Sequence, residues 1–215
     1  ALDRFEPAWF VGENVLGLTC HSGDPGKCGD PETCPGCYLE AVILPDLAER
    51  FAWVDIWRID AADFGVAQRR RRIFLVAGPH TVRPPEPSHC DPAHGLLIAL
   101  GRLPWVTVRD ALGIDRVSVI GGGSNPRSSE DSEARSYRNL TDEPSTTVAA
   151  SQIGNAGPWI MAAGETGAGM PRSTDEAGPQ RRRLTISEAA ALQGFPDGHP
   201  FQGTKTARYR QVGNA

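Results

Sequence analysis

The sequence predicts an α/β fold: the end of a mostly parallel sheet whose last strand is antiparallel, together with a small loop-rich domain. Three observations carry this. Apolar, β-branched or aromatic runs at Trp9 to Val15, Ala52 to Ile59 and Ile73 to Ala77 have the length of strands, and the last carries the flanking glycine of a buried one. A helical pattern separates the first two, whereas only a short turn separates the last two, which permits an antiparallel pair at the end of a parallel sheet. From His80 to about Gln180 the texture changes to Pro, Gly, Ser and Thr with few apolar runs, the mark of a separate module.

The third strand is led by four consecutive arginines, Arg69 to Arg72, in the run Asp63-Phe-Gly-Val-Ala-Gln-Arg-Arg-Arg-Arg-Ile-Phe-Leu-Val-Ala-Gly78. Guanidinium groups are thereby anchored at a sheet edge. Alternation along a strand puts Arg70 and Arg72 on one face and Arg69 and Arg71 on the other, so at most one pair points into a single pocket. A solvated charge run is the plain alternative. The first strand carries Glu13-Asn14-Val15, and an acidic residue at a strand's C-terminal end lies where open α/β sheets place ligand chemistry.

Between the first strand and the helix, Cys20, Cys28, Cys34 and Cys37 crowd into a segment rich in Gly, Pro and Asp, with intervals of seven, five and two residues. The closing Cys-Pro-Gly-Cys has the knuckle spacing that lets two thiolates reach one tetrahedral ion. A closed four-thiolate structural zinc site over residues 19–38 is the expectation, because the segment has little apolar material with which to hold itself. A redox Cys-x-x-Cys and unliganded thiols are the alternatives, and His21 is read as a neighbouring spare. Leu39, Ile43, Leu47 and Phe51 then recur at four-residue steps, an amphipathic helix that Pro45 kinks or restarts.

In the loop-rich region Trp105 to Leu112 reads as a short helix. Arg138 to Glu143 and Arg172 to Glu176 form a weak two-copy repeat, too short to define a fold. Gly164, Gly167 and Gly169 do not make a nucleotide-binding loop, because no adequate strand precedes them and Pro171 and Pro179 spoil the helix that should follow. Order returns at Arg181, with Ser187 expected to cap a helix over 188–193 that Gly194 and Pro196 terminate.

The formal net charge of −4 argues against a uniformly basic nucleic-acid coat, so any such contact must come from local clusters, Arg69 to Arg72 and Arg181 to Arg183. No apolar run has the roughly 18 to 20 residues that span a bilayer. The first residues lack a signal peptide's layout, and a cytoplasmic protein with no membrane partner is expected.

Taken in order, these stretches resemble the C5-cytosine DNA methyltransferases. Glu13-Asn14-Val15 is similar to that family's Glu-Asn-Val motif. Phe64 to Arg72 is similar to its Phe-Gly-Val-Pro-Gln-x-Arg-x-Arg motif, with Ala67 where proline is usual. Arg183-Leu184-Thr185 through Glu188, Gln193 to Asp197 and Gln211-Val212-Gly213-Asn214-Ala215 are similar to its last two motifs. The resemblance covers residues 8–80 and 181–215, and the middle sits where the family keeps its variable target-recognition domain.

The resemblance implies the C-terminal portion of a Rossmann-like, S-adenosylmethionine-dependent methyltransferase. Residues 1–80 and 181–215 would belong to the catalytic domain and 81–180 to target recognition. In this family a cysteine thiolate adds to C6 of a cytosine swung out of double-stranded DNA, and C5 takes a methyl group from S-adenosyl-L-methionine. By resemblance Glu13 bonds the N3 and exocyclic-amine edge of the base, Arg72 holds O2 and Arg70 braces the site. Asn14 supports the pocket, Asn214 belongs to the cofactor side, and Arg181, Arg182 and Arg183 are candidate DNA contacts.

The departures shape the expectation. The chain contains no Pro-Cys dipeptide and no glycine-rich turn after a first strand, so the family's nucleophile loop and cofactor cradle are missing. A truncated or split enzyme of a restriction-modification or phage system is expected, inactive by itself, with a second polypeptide as one source of the missing half. A zinc-containing, non-catalytic nucleic-acid-binding module is the alternative, and methylation of RNA shares every motif. Glu13 separates enzyme from binder, because a carboxylate beside phosphates repels them.

Overall fold

The computed structural model describes residues 5–21, 28, 30–113, 118–121, 138–139, 141–148, 159–161 and 181–215. Two compact units are present: Ala1–Asp60 with Arg71–Glu86, and Ala61–Arg70 with Pro87–Ala215.

In the first unit, strands β1 (Phe10–Val15), β2 (Trp53–Asp60) and β3 (Arg71–Gly78) form one sheet in the order β1-β3-β2. Both pairings are antiparallel, so β3 runs back between β1 and β2. The last strand of the sheet is antiparallel, as the short turn before it implied. Its apolar composition follows from its central place: Ile73, Leu75, Val76 and Ala77 are all buried.

The helical pattern appears as α1 (Pro35–Tyr38), a π-helical turn (Leu39–Ile43) and α2 (Leu44–Arg50). Pro45 has no N–H to give, and its ring crowds the carbonyl one turn back. The π turn absorbs this, with the Leu44 N–H bonding the Leu39 carbonyl five residues earlier. Helical structure therefore runs unbroken over 35–50, and Leu39 and Leu47 pack with Leu75 while Phe10, Ile43, Phe51, Val54 and Ile56 close the cluster. That cluster covers the sheet face carrying Phe10, Leu75 and Ile56, which occupy aligned register positions or their neighbours.

The second unit has its own core of Ala67, Val108, Val148, Leu184, Ala189, Ala190, Leu192 and Val212. Ala67 lies in the turn before β3, Val108 in helix α4 (Val108–Leu112), Ala189, Ala190 and Leu192 in α5 (Ile186–Leu192) and Val212 in α6 (Lys205–Asn214); Val148 and Leu184 lie outside helix and strand, and α3 (Gly95–Ala99) is outside the cluster. A parallel pair, β4 (His89–Cys90) and β5 (Leu103–Pro104), and an antiparallel sheet of order β7-β6-β8-β9 complete it. The latter strands are β6 (Ser118–Gly121), β7 (Arg138–Asn139), β8 (Trp159–Met161) and β9 (Arg181–Arg183).

Local chemistry moves two boundaries from their expected places. The helix expected from Trp105 begins at Val108, because Thr107 and Asp110 form a reciprocal capping box. The later helix is capped by Thr185, not Ser187. Glu188 lies three residues after Thr185 and returns its carboxylate to the Thr185 N–H at 2.7 Å, whereas the residue three after Ser187 is Ala190. Gly194 then ends the helix with φ of 80°, a conformation that favours glycine. The second copy of the weak repeat and Gly164, Gly167 and Gly169 lie outside the described residues. In the first copy Asp142 pairs with Arg109 at 2.7 Å, and the carbonyls of Thr141 and Glu143 accept from the Arg109 and Val108 N–H groups.

Candidate base-binding site and metal cluster

The sheet register brings two of the predicted residues together. Glu13 on β1 faces Phe74 on β3, and Val15 faces Arg72, so Glu13 and Arg72 are diagonal neighbours on one sheet face. Arg72 Nε donates to Glu13 Oε1 at 2.7 Å. The Arg72 side chain is only 17% exposed, against 49% for Glu13. Arg72 Nη1 also donates to the Arg71 carbonyl at 2.9 Å, which fixes the plane of the fork. An ion pair with one partner half in water contributes at most about 1 kcal/mol to stability. Its worth is positional: a carboxylate acceptor and a planar five-donor cation share one sheet face.

Asn14 is not on that face. It sits opposite Ile73, on the other face, and its Oδ1 accepts from the Val15 N–H at 2.8 Å. It shapes the backbone just past Glu13 and does not line the pocket. Arg70 lies before the first residue of β3, so strand alternation does not carry it to the face of Arg72. Its carbonyl accepts from the Ala61 N–H at 3.0 Å, which closes the turn. Arg69 stacks on Trp105 with its guanidinium carbon 4.2 Å from the ring centroid, and the indole N–H donates to Asp63 at 2.8 Å. The arginine run therefore divides its work, and Arg71 is the exposed member.

Three glutamines in the quoted motifs fasten side chain to backbone, a role that sequence reasoning missed. Fully buried Gln68 accepts from the Val148 N–H at 3.2 Å and donates to the Leu192 carbonyl at 3.5 Å. Gln193 donates to the Val212 carbonyl at 2.7 Å. Gln211 donates to the Gln202 carbonyl at 2.8 Å and accepts from the Gln202 N–H at 3.3 Å. An amide offers donor and acceptor on one planar group, which explains the residue type. Its recurrence in three of the quoted stretches, at 68, 193 and 211, was the available signal.

Asn214 is exposed at the end of α6, next to buried Val212 and Gly213. A single exposed amide does not make a cofactor cradle, and the described residues assigned to the cofactor go no further. Arg183 is exposed on β9, and the side chains of Arg181 and Arg182 lie outside what is described. Beside β9, Tyr209 donates to the Leu184 carbonyl at 2.6 Å, and burial raises its phenol pKa.

The cysteine segment gathers four ligand atoms, from His21, Cys28, Cys34 and Cys37, all within 4.8 Å of one another. Cys20, expected as the first ligand, is outside this group. Its Sγ turns back to the Leu16 carbonyl at 3.5 Å at the end of the 3₁₀ turn Leu16–Thr19, and its own carbonyl accepts from Gly36. A hydrogen bond from His21 Nε2 to Glu40 at 3.2 Å raises the imidazole pKa, with Cys34 adding to the effect.

The C-5 cytosine-specific DNA methylase family model matches residues 122–215. The Type II methyltransferase M.NaeI of Lentzea aerocolonigenes is 32% identical over 226 aligned residues, which cover 99% of this chain and 47% of that protein. The chain is similar to the C-5 cytosine-specific DNA methylases. M.AplI of Arthrospira platensis, also a Type II methyltransferase, is 29% identical over 100% of this chain and 54% of its own. A crystal structure of S. pombe Dnmt2 methyltransferase aligns with a TM-score of 0.48 at 14% identity, covering 97% of this chain and 61% of that one. The chain thus spans about half the length of the curated methylases it matches. Methylases of this family take their methyl group from S-adenosylmethionine. Among the described residues no helix is long and apolar enough to cross a membrane.

Proposed function

We propose that this chain supplies the base-recognition and target-reading portion of a DNA (cytosine-5-)-methyltransferase acting on double-stranded DNA in the cytoplasm, within a restriction-modification system. The 2.7 Å approach of Arg72 to Glu13 on one sheet face is the observation that carries the reading.

Addition of a nucleophile to C6 of cytosine drives negative charge toward N3 and O2. When the base displaces Arg72, the Glu13 carboxylate takes a proton from solvent; that proton bonds N3 while the other oxygen accepts from the exocyclic amine, which places a proton where the charge develops. Arg72 meets O2 with a cation that stays charged at any working pH. On entry of the base, Glu13 and Arg72 exchange their mutual contact for contacts to cytosine, so the ion pair holds both groups at the mouth without committing them. Asn14 and the Arg71 carbonyl set the backbone and fork that aim them. The bound S-adenosylmethionine supplies the methyl group. The nucleophile and the glycine-rich cofactor turn do not occur in these 215 residues, and in this reading they come from polypeptide outside them, in the same chain or a second one. The Cys28–Cys34–Cys37 knuckle holds a structural zinc ion that stands outside the chemistry. Glu13 argues against the alternative of a pure nucleic-acid binder, which has no use for a carboxylate beside an arginine meant for phosphate.

The test is Glu13→Gln in the enzyme completed with its upstream segment. Loss of proton placement worth about 2–4 kcal/mol lowers methyl transfer about 10²-fold or more, while affinity for duplex DNA persists. Unchanged turnover would remove Glu13 from the mechanism.

A further inference from the structure

We infer that the zinc site is a closed three-cysteine, one-histidine site in which His21 Nδ1 takes the fourth position and Glu40 locks the imidazole from behind. The inference rests on the zinc reading of the knuckle and specifies its ligands. Three thiol sulfurs converge on one imidazole nitrogen: Cys37 Sγ at 3.5 Å, Cys28 Sγ at 3.9 Å and Cys34 Sγ at 3.9 Å from His21 Nδ1. A ring nitrogen has one proton or one lone pair and cannot satisfy three thiols by hydrogen bonding. The spacing fits a shared ion. Zinc bonds of about 2.3 Å to sulfur and 2.0–2.1 Å to nitrogen in tetrahedral geometry separate ligand N and S by about 3.6 Å and two sulfurs by about 3.8 Å.

The far side of the ring decides the tautomer. His21 Nε2 lies 3.2 Å from Glu40 Oε1, and a carboxylate accepts, so Nε2 carries the hydrogen and the Nδ1 lone pair faces the sulfurs. The backbone supports the same arrangement. The Gly36 N–H donates to the Cys20 carbonyl at 3.1 Å, and a Cβ at Gly36 would lie 3.0 Å from His21 Cε1 and Nδ1, so the glycine lets the ring sit against the knuckle. Asp30 orders the approach, with its carboxylate accepting from the Glu32 N–H and the Thr33 hydroxyl and its carbonyl from Cys34 N–H. The ion then ties the chain just beyond Glu13-Asn14-Val15 to the start of α1. It braces the strand end that carries the base-binding carboxylate.

Zinc content and zinc-edge X-ray absorption of protein purified anaerobically without chelators test this. The expected result is one equivalent of zinc with three sulfurs at about 2.3 Å and one nitrogen at about 2.0 Å. Cys20→Ser keeps both, Glu40→Gln weakens zinc about 10–100-fold in competition with a chromophoric chelator, and His21→Ala weakens it further. His21→Cys, which keeps a donor at the same point, retains zinc with a four-sulfur shell. Four sulfurs in the wild type together with zinc loss in Cys20→Ser would overturn the ligand assignment while leaving a zinc knuckle. Zinc well below one equivalent in the wild type would overturn the metal reading itself.

Discussion

Replacing Gln68 by Met tests whether the motif glutamine is a fastener or a participant in chemistry. Met fills nearly the same volume without polar atoms, so packing is preserved and only the amide is lost. Gln68 and Val148 are both fully buried, and the Val148 N–H has Gln68 Oε1 as its acceptor at 3.2 Å. Leaving that N–H without a partner costs about 1–3 kcal/mol. The second bond, to the Leu192 carbonyl at 3.5 Å, is at the limit of hydrogen-bond length and adds little. The parallel bridge between Gln68 and Ser145 is unaffected, because it is made by the backbone groups of Ala67, Arg69 and Ser145. The expected loss is therefore about 2 kcal/mol, a fall in Tm of about 4–8 °C for a chain of this size. Thermal melting by circular dichroism, with urea denaturation as a second probe, reads it. A Gln68→Met protein within about 0.5 kcal/mol of wild type would refute the reasoning, since such changes are typical of surface positions.

Thr185→Ala removes the capping box of α5 and should cost about 1 kcal/mol in urea denaturation, whereas Ser187→Ala, at the second residue of the helix, should be near neutral. Hydrogen bonds from Thr107 hold the Asp110 carboxyl below its usual pKa, so Asp110 stabilises the fold when ionised. That contribution is complete above the ordinary carboxylate range and disappears as pH falls through the lowered value. Asp110→Asn should accordingly be less stable than wild type near pH 7, with the gap closing in acid, as stability measured across pH will show.

How much was legible follows from the scale of each signal. The strands were visible because β3 is buried on both faces and reads as an unbroken apolar run. The Glu13–Arg72 pairing was foreseen as one site, and the sheet register supplies the diagonal that makes it. By resemblance Asn14 supports the pocket and Arg70 braces the site; Asn14 lies on the other sheet face, where it shapes the backbone after Glu13, and Arg70 precedes the first residue of β3. The make-up of the His/Cys cluster turned on a similar step. Spacing favoured Cys20, but the 3₁₀ turn directs its sulfur back to Leu16 and presents His21 instead. Thr185 was hidden behind the more obvious Ser187 because the capping box is a relation between two residues. Pro45 announced an irregularity, and only the backbone shows it taken up as a π turn within an unbroken helical run.

The most direct measurement of the central claim is transfer of tritiated methyl from S-adenosylmethionine to duplex DNA by the enzyme completed with its upstream segment, with the product nucleoside identified by mass spectrometry. The account predicts 5-methylcytosine from the wild type and a loss of about 10²-fold or more with Glu13→Gln. No 5-methylcytosine from the wild type, or equal rates from the two proteins, would contradict it.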